Sequence, residues 1–272
     1  MLKLFYITND EKIAEIADKC GVDRVWVDLE TIGKEERQKN FDSVKSHHTI
    51  ADISRIKPLL KNAEMLVRIN PWNLNSFAEI DAVIDAGADA VMLPMWKCVE
   101  EVNCFINAVN HRVKTILLLE TSEAVQCIDE ILKLEFDEIH IGLNDLHLAY
   151  GYKFMFELLS DGTVERLCNK FRDKGIPYGF GGIASLGKGL LPSEMVIMEH
   201  YRLGSTRAIL SRSFCNTALC SDYDEIERLF NDGMVALRNY ESKCENFSTE
   251  DFLHNQENVV RTISKITESV LN

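Results

Sequence analysis

The chain lacks the features that mark membrane proteins and nucleic-acid-binding proteins. No segment of its 272 residues approaches an apolar run long enough to cross a membrane, and the apolar stretch at the amino terminus is too short for a signal peptide. Lys and Arg number 30 against 43 Asp and Glu, and the resulting net charge of -13 argues against nucleic acid or an anionic membrane as a partner. We therefore expect a cytoplasmic protein that binds neither.

The chain also lacks the cysteine spacing of disulfide or zinc proteins. Its eight cysteines are scattered, with no C-x-x-C pair and no histidine at zinc-ligand spacing. Most lie in apolar helical contexts, where a reduced cysteine behaves as a small hydrophobic residue. We expect structural roles for all of them.

Short apolar segments alternate with amphipathic ones along most of the chain, which is typical of a parallel sheet built from βα units. Strands are predicted near residues 2–7, 24–29, 65–70, 90–94, 115–120, 138–143, 177–182 and 207–211. Eight such strands indicate a (β/α)8 TIM barrel. No Pro/Gly-rich linker or composition break divides the chain, so we expect one domain over 1–272, with the barrel at about 1–220 and additional C-terminal helices at about 223–271.

Helix start signals support this alternation. Two sequences with the spacing of a capping box precede helical apolar patterns, at Thr49 to Asp52 and at Ser76 to Glu79. Thr121 or Ser122 can cap a further helix. Of the two amphipathic C-terminal helices, we expect one to close the barrel and the other to pack on its own barrel or on a neighbouring subunit.

Charged and special residues follow the predicted strands. In a (β/α)8 barrel the carboxyl ends of the strands carry the reacting groups, because the loops there vary without disturbing the core. The residues at these ends are Asp28, Glu30, Arg68, Pro94, Met95, Glu120, Asn144, Asp145, Gly179, Gly181, Gly182 and Ser211.

Glu120 and Asp145 follow neighbouring predicted strands, so their oxygens can converge on one cation. Two carboxylates with water and substrate oxygens form a hard site that suits Mg²⁺ or Mn²⁺. For either carboxylate alone, a cap for the following helix is the better explanation. The occurrence of both favours the metal site.

Arg68 allows two interpretations, which the spacing does not separate. Its guanidinium can bind a substrate carboxylate with two parallel hydrogen bonds, or it can form a structural ion pair with Asp28 or Glu30. The glycines after the seventh strand allow a phosphate cradle, room for substrate or a tight turn. His47 and His48 lie in a loop, where either is a candidate general acid or base or is solvated.

Absent motifs narrow the chemistry further. No lysine ends a predicted strand, so a Schiff-base aldolase would lack its nucleophile, and neither a G-x-S-x-G elbow nor a P-loop occurs. Metal-assisted electrophilic chemistry remains.

In order and spacing, several segments resemble the HpcH/HpaI aldolase and citrate lyase beta-subunit family, a group of phosphoenolpyruvate/pyruvate-binding barrels. They are residues 27–30, 66–70, 87–94, 118–121 and 142–146. The resemblance implies that Glu120 and Asp145 hold a divalent metal and that Arg68 contacts a carboxylate or enolate oxygen. It also implies a homo-oligomer, a trimer or a hexamer, to which Asp85 would contribute across a subunit interface.

One departure from the family pattern concerns the general base. The aldolase branch carries a catalytic histidine just after the glutamate, and Thr31 stands there in this chain. His48, Glu30 and Asp28 are the remaining catalytic candidates, while Arg68, Pro94, Met95, Asn144, Gly181 and Gly182 are the candidates for substrate binding.

The resemblance predicts a metal-dependent carbon-carbon lyase that cleaves or forms a 2-oxo acid through a stabilised enolate. Two alternatives stay open. The first is a citrate-lyase-type enzyme whose acyl-coenzyme A or phosphorylated substrate is bound by the glycine loop with Arg202, Arg207 and Arg212. The second is a barrel without catalysis that binds a ligand or serves in assembly.

Overall fold

The computed structural model describes residues 1–33, 48–215, 220 and 222–269. Eight parallel strands form a closed barrel in chain order, which confirms the predicted fold class. The strands are β1 (Lys3–Ile7), β2 (Arg24–Asp28), β3 (Glu64–Arg68), β4 (Ala90–Leu93), β5 (Lys114–Leu119), β6 (Glu138–Ile141), β7 (Tyr178–Ile183) and β8 (Arg207–Leu210). Each lies at or within one or two residues of its predicted position.

The helices of the described residues separate these strands and follow the last one. They are α1 (Glu11–Lys19), α2 (Ile50–Ile56), α3 (Ser76–Asp85), α4 (Val99–Val109), α5 (Ser122–Gln126), α6 (Ile128–Ile131), α7 (Leu143–Ala149), α8 (Glu157–Ser160), α9 (Thr163–Asp173), α10 (Ser193–Leu203), α11 (Tyr223–Cys244) and α12 (Thr249–Ser269). A short 3-10 helix, Lys57–Leu59, follows α2. The last residues of the predicted C-terminal extension, 270–272, lie outside the described residues.

The strands owe their continuous apolar runs to burial on both faces. Every residue of β2, β4 and β6 is buried. A parallel strand covered on both sides needs no polar face, so its sequence shows no alternation. This is why the strands could be located from the sequence alone.

Two compact units make up the chain: Tyr6–Glu138, and Met1–Phe5 with Ile139–Asn272. The first unit contains a buried ion-pair network at the amino ends of its strands. Arg24, which is fully buried, donates from Nη1 and Nη2 to Glu138 at 2.6 and 2.8 Å and from Nε to Glu64 at 2.8 Å. Burial opposes the charge of Arg24, but the two carboxylates outweigh this effect and raise its pKa.

In the second unit, buried polar contacts attach both C-terminal helices. Glu241 of α11 is fully buried and accepts a hydrogen bond from the Leu2 backbone amide at 2.6 Å. Asn255 of α12 donates to Glu199 Oε1 at 2.9 Å and to the Met195 carbonyl at 3.1 Å, both in α10. The second C-terminal helix therefore packs within its own chain, one of the two expected arrangements.

The helix start signals were correct in two places and wrong in a third. Thr49 and Asp52 form the predicted capping box, and Thr121 caps α5 by accepting the Ala124 amide. Ser76, however, is the first residue of its helix rather than its cap, and its hydroxyl accepts the Asn73 amide. Within the described residues, no helix is long and apolar enough to cross a membrane.

The Arg24 network yields a stability prediction. Replacing Glu138 with glutamine removes one negative charge and leaves the buried guanidinium under-compensated, so the free energy of unfolding should fall by about 3–5 kcal/mol. Urea denaturation of the purified protein measures this change. Glu130→Gln is the matched control, because Glu130 pairs with Lys133 on the surface, where such a pair contributes little. Equal midpoints for the two variants would contradict the prediction.

Candidate active site

Asp28 and Arg68 meet because β2 and β3 pair with these residues directly opposite each other. Arg68 Nε donates to Asp28 Oδ1 and Nη2 donates to Oδ2, each at 2.8 Å. Nη2 also lies 3.3 Å from Glu30 Oε2. The structural ion pair, one of the two interpretations of Arg68, is therefore present. Its two parallel hydrogen bonds to Asp28 are those that a substrate carboxylate would otherwise form.

The Arg68 charge is strongly held. Burial opposes it, but Asp28 and Glu30, with Glu120 further along the site, outweigh that effect and raise the pKa of Arg68 far above its usual value. The guanidinium carbon also lies 5.2 Å from the centre of the Trp26 ring, in a cation–π contact. Arg68 is thus a fixed cation among three buried carboxylates.

One nitrogen of the Arg68 guanidinium, Nη1, remains for a ligand. Nε and Nη2 are used by Asp28 and Glu30, whereas Nη1 donates to no residue that the structure describes. The Arg68 side chain keeps 12 % of its surface exposed. The anchored guanidinium can therefore offer the two Nη1 hydrogens to a substrate oxygen.

His48 is brought to the same cluster by a backbone contact. The Asp28 amide donates to His48 Nδ1 at 2.9 Å. Since an amide N–H can only donate, Nδ1 carries the lone pair, and the proton of the neutral ring is on Nε2. In this state Nε2 is a proton donor and not a base. His47, the other candidate in that loop, lies outside the described residues.

Asn70 is a residue of this site that the sequence reasoning did not single out. Its side-chain oxygen accepts the Thr31 and Ile32 amides at 2.9 and 3.0 Å and the Thr31 hydroxyl at 3.2 Å. Glu79 in turn accepts the Asn70 side-chain amide at 2.8 Å, and burial raises the pKa of Glu79. Asn70 thus fixes the segment after Glu30, including Thr31. Its place at the end of a family-like segment was the available signal.

Glu120 is 3 % exposed and directly follows β5. Its Oε1 accepts the Met95 amide at 3.0 Å. The helix after it is capped by Thr121, so the explanation of Glu120 as a helix cap is wrong. Pro94 is buried and Met95 half-buried, and their contact with substrate stays a prediction.

Asn144 and Asp145 lie in the first turn of α7, in the second unit. The N-cap of this helix is Gly142 and makes no side-chain capping bond, so Asp145 is not a cap either. The shared metal role of Glu120 and Asp145 stays a prediction. In the part of the chain that the structure describes, no three His, Cys, Asp or Glu side chains lie together so that they could hold a metal ion.

The glycines of β7 are explained by close packing. A Cβ on Gly181 would come within 2.7 Å of Leu143 Cδ1, and its φ of +52° is unfavourable for other residues. One on Gly179 would overlap the Arg207 carbonyl. His140 contacts the Gly181 carbonyl at 3.1 Å. Tight packing thus accounts for these residues, and substrate contacts of Gly181 and Gly182 remain predictions.

Two of the three arginines invoked for a coenzyme A or phosphate substrate have other positions. Arg202 pairs with Glu165 and Glu199 at 2.9 and 2.8 Å on the helices. Arg207 begins β8 and so stands at its amino end, away from the strand end that carries catalytic groups in such barrels. Arg202 and Arg207 therefore do not support the alternative, whereas the role of Arg212, which follows β8, stays a prediction.

The comparisons with known proteins give a family and a fold. The HpcH/HpaI aldolase/citrate lyase family model matches residues 2–158, while no curated protein matches the chain.

Three solved structures are similar in fold. An HpcH/HpaI aldolase from Desulfitobacterium hafniense DCB-2 is 17% identical with a TM-score of 0.59, covering 80% of this chain and 90% of its own. A variant of the citrate synthase SbnG is 17% identical with a TM-score of 0.56, covering 87% and 92%. Macrophomate synthase is 16% identical with a TM-score of 0.57, covering 78% and 77%.

The family match spans more than half of the chain and includes the strand ends that carry Asp28, Arg68, Glu120 and Asp145. This chain belongs to the HpcH/HpaI aldolase/citrate lyase family, whose members are enzymes that act on carbon-carbon bonds.

Proposed function

We propose that this protein is a metal-dependent carbon-carbon lyase that acts on a small 2-oxo acid through a pyruvate-like enolate. The observation that carries the proposal is Arg68, held as a cation beside Asp28, Glu30 and Glu120, in a chain of this family. A fixed positive charge stabilises an enolate oxygen without having to reorganise during the reaction.

In this proposal Asp28 is the anchor of Arg68. Both Asp28 oxygens are used by the guanidinium, and Oδ1 also accepts the Glu30 amide at 3.2 Å. Arg68 then presents Nη1 to the carboxylate or keto oxygen of the substrate. Because the guanidinium plane is already fixed, substrate binding costs less conformational entropy.

The donor set suits a hard divalent cation. Three carboxylates accompany one guanidinium in the first unit, so added positive charge is favourable there. We assign Glu120 and Asp145 as the residues that would hold Mg²⁺ or Mn²⁺, on the support of the family motifs. When bound, the cation supplies Lewis acidity to the substrate oxygens.

Proton transfer is divided between Glu30 and His48. Since Asp28 is committed to Arg68, we assign the role of proton acceptor to Glu30, which is 2% exposed. His48, with its Nδ1 engaged by the Asp28 amide, is assigned as a neutral donor through Nε2–H.

The metal assignment predicts a loss of enolisation. The Glu120→Ala/Asp145→Ala double variant should show no metal-dependent exchange of pyruvate methyl protons with deuterium, because both cation ligands are gone. Proton NMR in heavy water follows this exchange directly. Glu135→Ala/Asp173→Ala, which removes exposed carboxylates, is the control and should exchange at the wild-type rate. Unchanged exchange in the Glu120→Ala/Asp145→Ala variant would contradict the assignment of these residues as metal ligands.

The Arg68 assignment predicts a large effect from a substitution that keeps the charge. Arg68→Lys retains the cation but loses the fork that joins Asp28 to the substrate oxygen, so kcat/KM should fall about 10²- to 10³-fold. Steady-state kinetics of 2-oxo acid cleavage measure this. Arg228→Lys, at an exposed ion pair, serves as control. A loss below tenfold would show that any cation suffices at this position.

The His48 assignment predicts a tautomer. Nitrogen-15 NMR of labelled protein at neutral pH should show a protonated Nε2 and an unprotonated Nδ1, because Nδ1 accepts the Asp28 amide. The exposed His254 provides an internal reference for a solvated ring. A proton on Nδ1 would rule out the assigned role.

A further inference from the structure

Three consecutive residues after β4, residues 95–97, are each tied to the segment that follows β5. The Met95 amide donates to Glu120 Oε1 at 3.0 Å, and the Thr121 hydroxyl donates to the Trp96 carbonyl at 2.8 Å. The Cys127 thiol lies 3.7 Å from the Lys97 carbonyl. We call residues 95–97 the β4 clamp.

The backbone of the β4 clamp is held in an unfavourable conformation. Met95 has a φ of 53°, in the left-handed region that non-glycine residues seldom occupy. Such a conformation persists only where surrounding contacts over-determine it. Here the left-handed turn accompanies the amide contact with Glu120, and the next residue, Trp96, is only 1% exposed.

Thr121 joins the clamp to the helix after β5. Its oxygen accepts the Ala124 amide at 3.1 Å, which caps α5, while its hydrogen goes to the Trp96 carbonyl. One hydroxyl therefore fixes both the clamp and the start of the helix that follows Glu120. The Glu120 carboxylate is thus oriented at one end by its own backbone and at the other by the Met95 amide.

We infer that the β4 clamp and Thr121 are positioning elements that fix the orientation of the Glu120 carboxylate through its Oε1, and thereby strengthen binding of the divalent cation. This inference rests on the proposed function, in which Glu120 is a cation ligand. Contacts that orient the ligands of a metal typically change its affinity by 10- to 100-fold when they are removed. The clamp contributes through backbone groups of Met95 and Trp96, so it does not depend on the Met95 side chain.

The test is the affinity of the full-length protein for Mn²⁺ alone, measured by electron paramagnetic resonance of the free ion. Thr121→Val removes the hydroxyl at nearly constant shape, and it should weaken Mn²⁺ binding about 10- to 100-fold. Thr121→Ser keeps the hydroxyl and is the matched control, with affinity near that of the wild type. Met95→Ala keeps the amide and should also bind Mn²⁺ normally.

Two outcomes would overturn the inference. Equal Mn²⁺ affinity in Thr121→Val and Thr121→Ser would show that the bond to Trp96 does not orient the ligand. A loss in Met95→Ala as large as in Thr121→Val would assign the effect to the side chain. If circular dichroism shows Thr121→Val to be unfolded, Thr121→Ala, which loses the same hydroxyl without the added methyl, takes its place in the comparison.

A further variant separates this inference from the proposed function. Glu120→Gln should lose Mn²⁺ binding if Glu120 is a ligand. Wild-type affinity in Glu120→Gln would refute the metal role itself, whereas loss in Glu120→Gln with unchanged affinity in Thr121→Val would refute only the clamp.

Discussion

The partly buried ion pair between Asp28 and Arg68 is the interaction on which the rest of the candidate site depends. A guanidinium in low dielectric is costly unless it is paired and hydrogen-bonded. Asp28 meets both needs with two bonds of 2.8 Å, made possible by the register of β2 against β3. Once Arg68 is held as a cation, Glu30 and Glu120 gain a favourable electrostatic neighbour, and the cluster can keep several carboxylates away from water.

Hydrogen bonding differentiates groups that are chemically alike. Both Asp28 oxygens accept hydrogen bonds from Arg68, and Glu30 lies 3.3 Å from the same guanidinium. Glu120 accepts the backbone amide of Met95. The three carboxylates therefore differ in their contacts, and we base the proposed roles of anchor, proton acceptor and cation ligand on those differences. Asn70 and the β4 clamp lie next to these carboxylates and hold the segments that carry Glu30 and Glu120.

Structural features were easier to predict where the residues that cause them lie close together in the sequence. The strands could be located because each is an apolar run buried on both faces, as β4 shows. The capping box at Thr49 was correct because its partner, Asp52, is three residues away. The same spacing predicted a capping box at Ser76 and Glu79, and this prediction was wrong. The Ser76 hydroxyl accepts the Asn73 amide, and the Glu79 carboxylate accepts the Asn70 side-chain amide. Asn70 was missed for a related reason, since its partners Thr31 and Ile32 lie far away in the chain.

The sequence by itself determined the alternation of strands and helices, the family, and which charged residues end the strands. These depend on burial patterns and on short motifs. The tertiary structure alone decided that Arg68 pairs with Asp28, that His48 accepts a backbone amide and that Met95 turns its amide towards Glu120. Each of these contacts joins residues 20 to 40 positions apart. Strand register sets the Asp28–Arg68 contact, because a slip by one residue would turn the side chains to the other face of the sheet, and no local pattern in the sequence specifies that register.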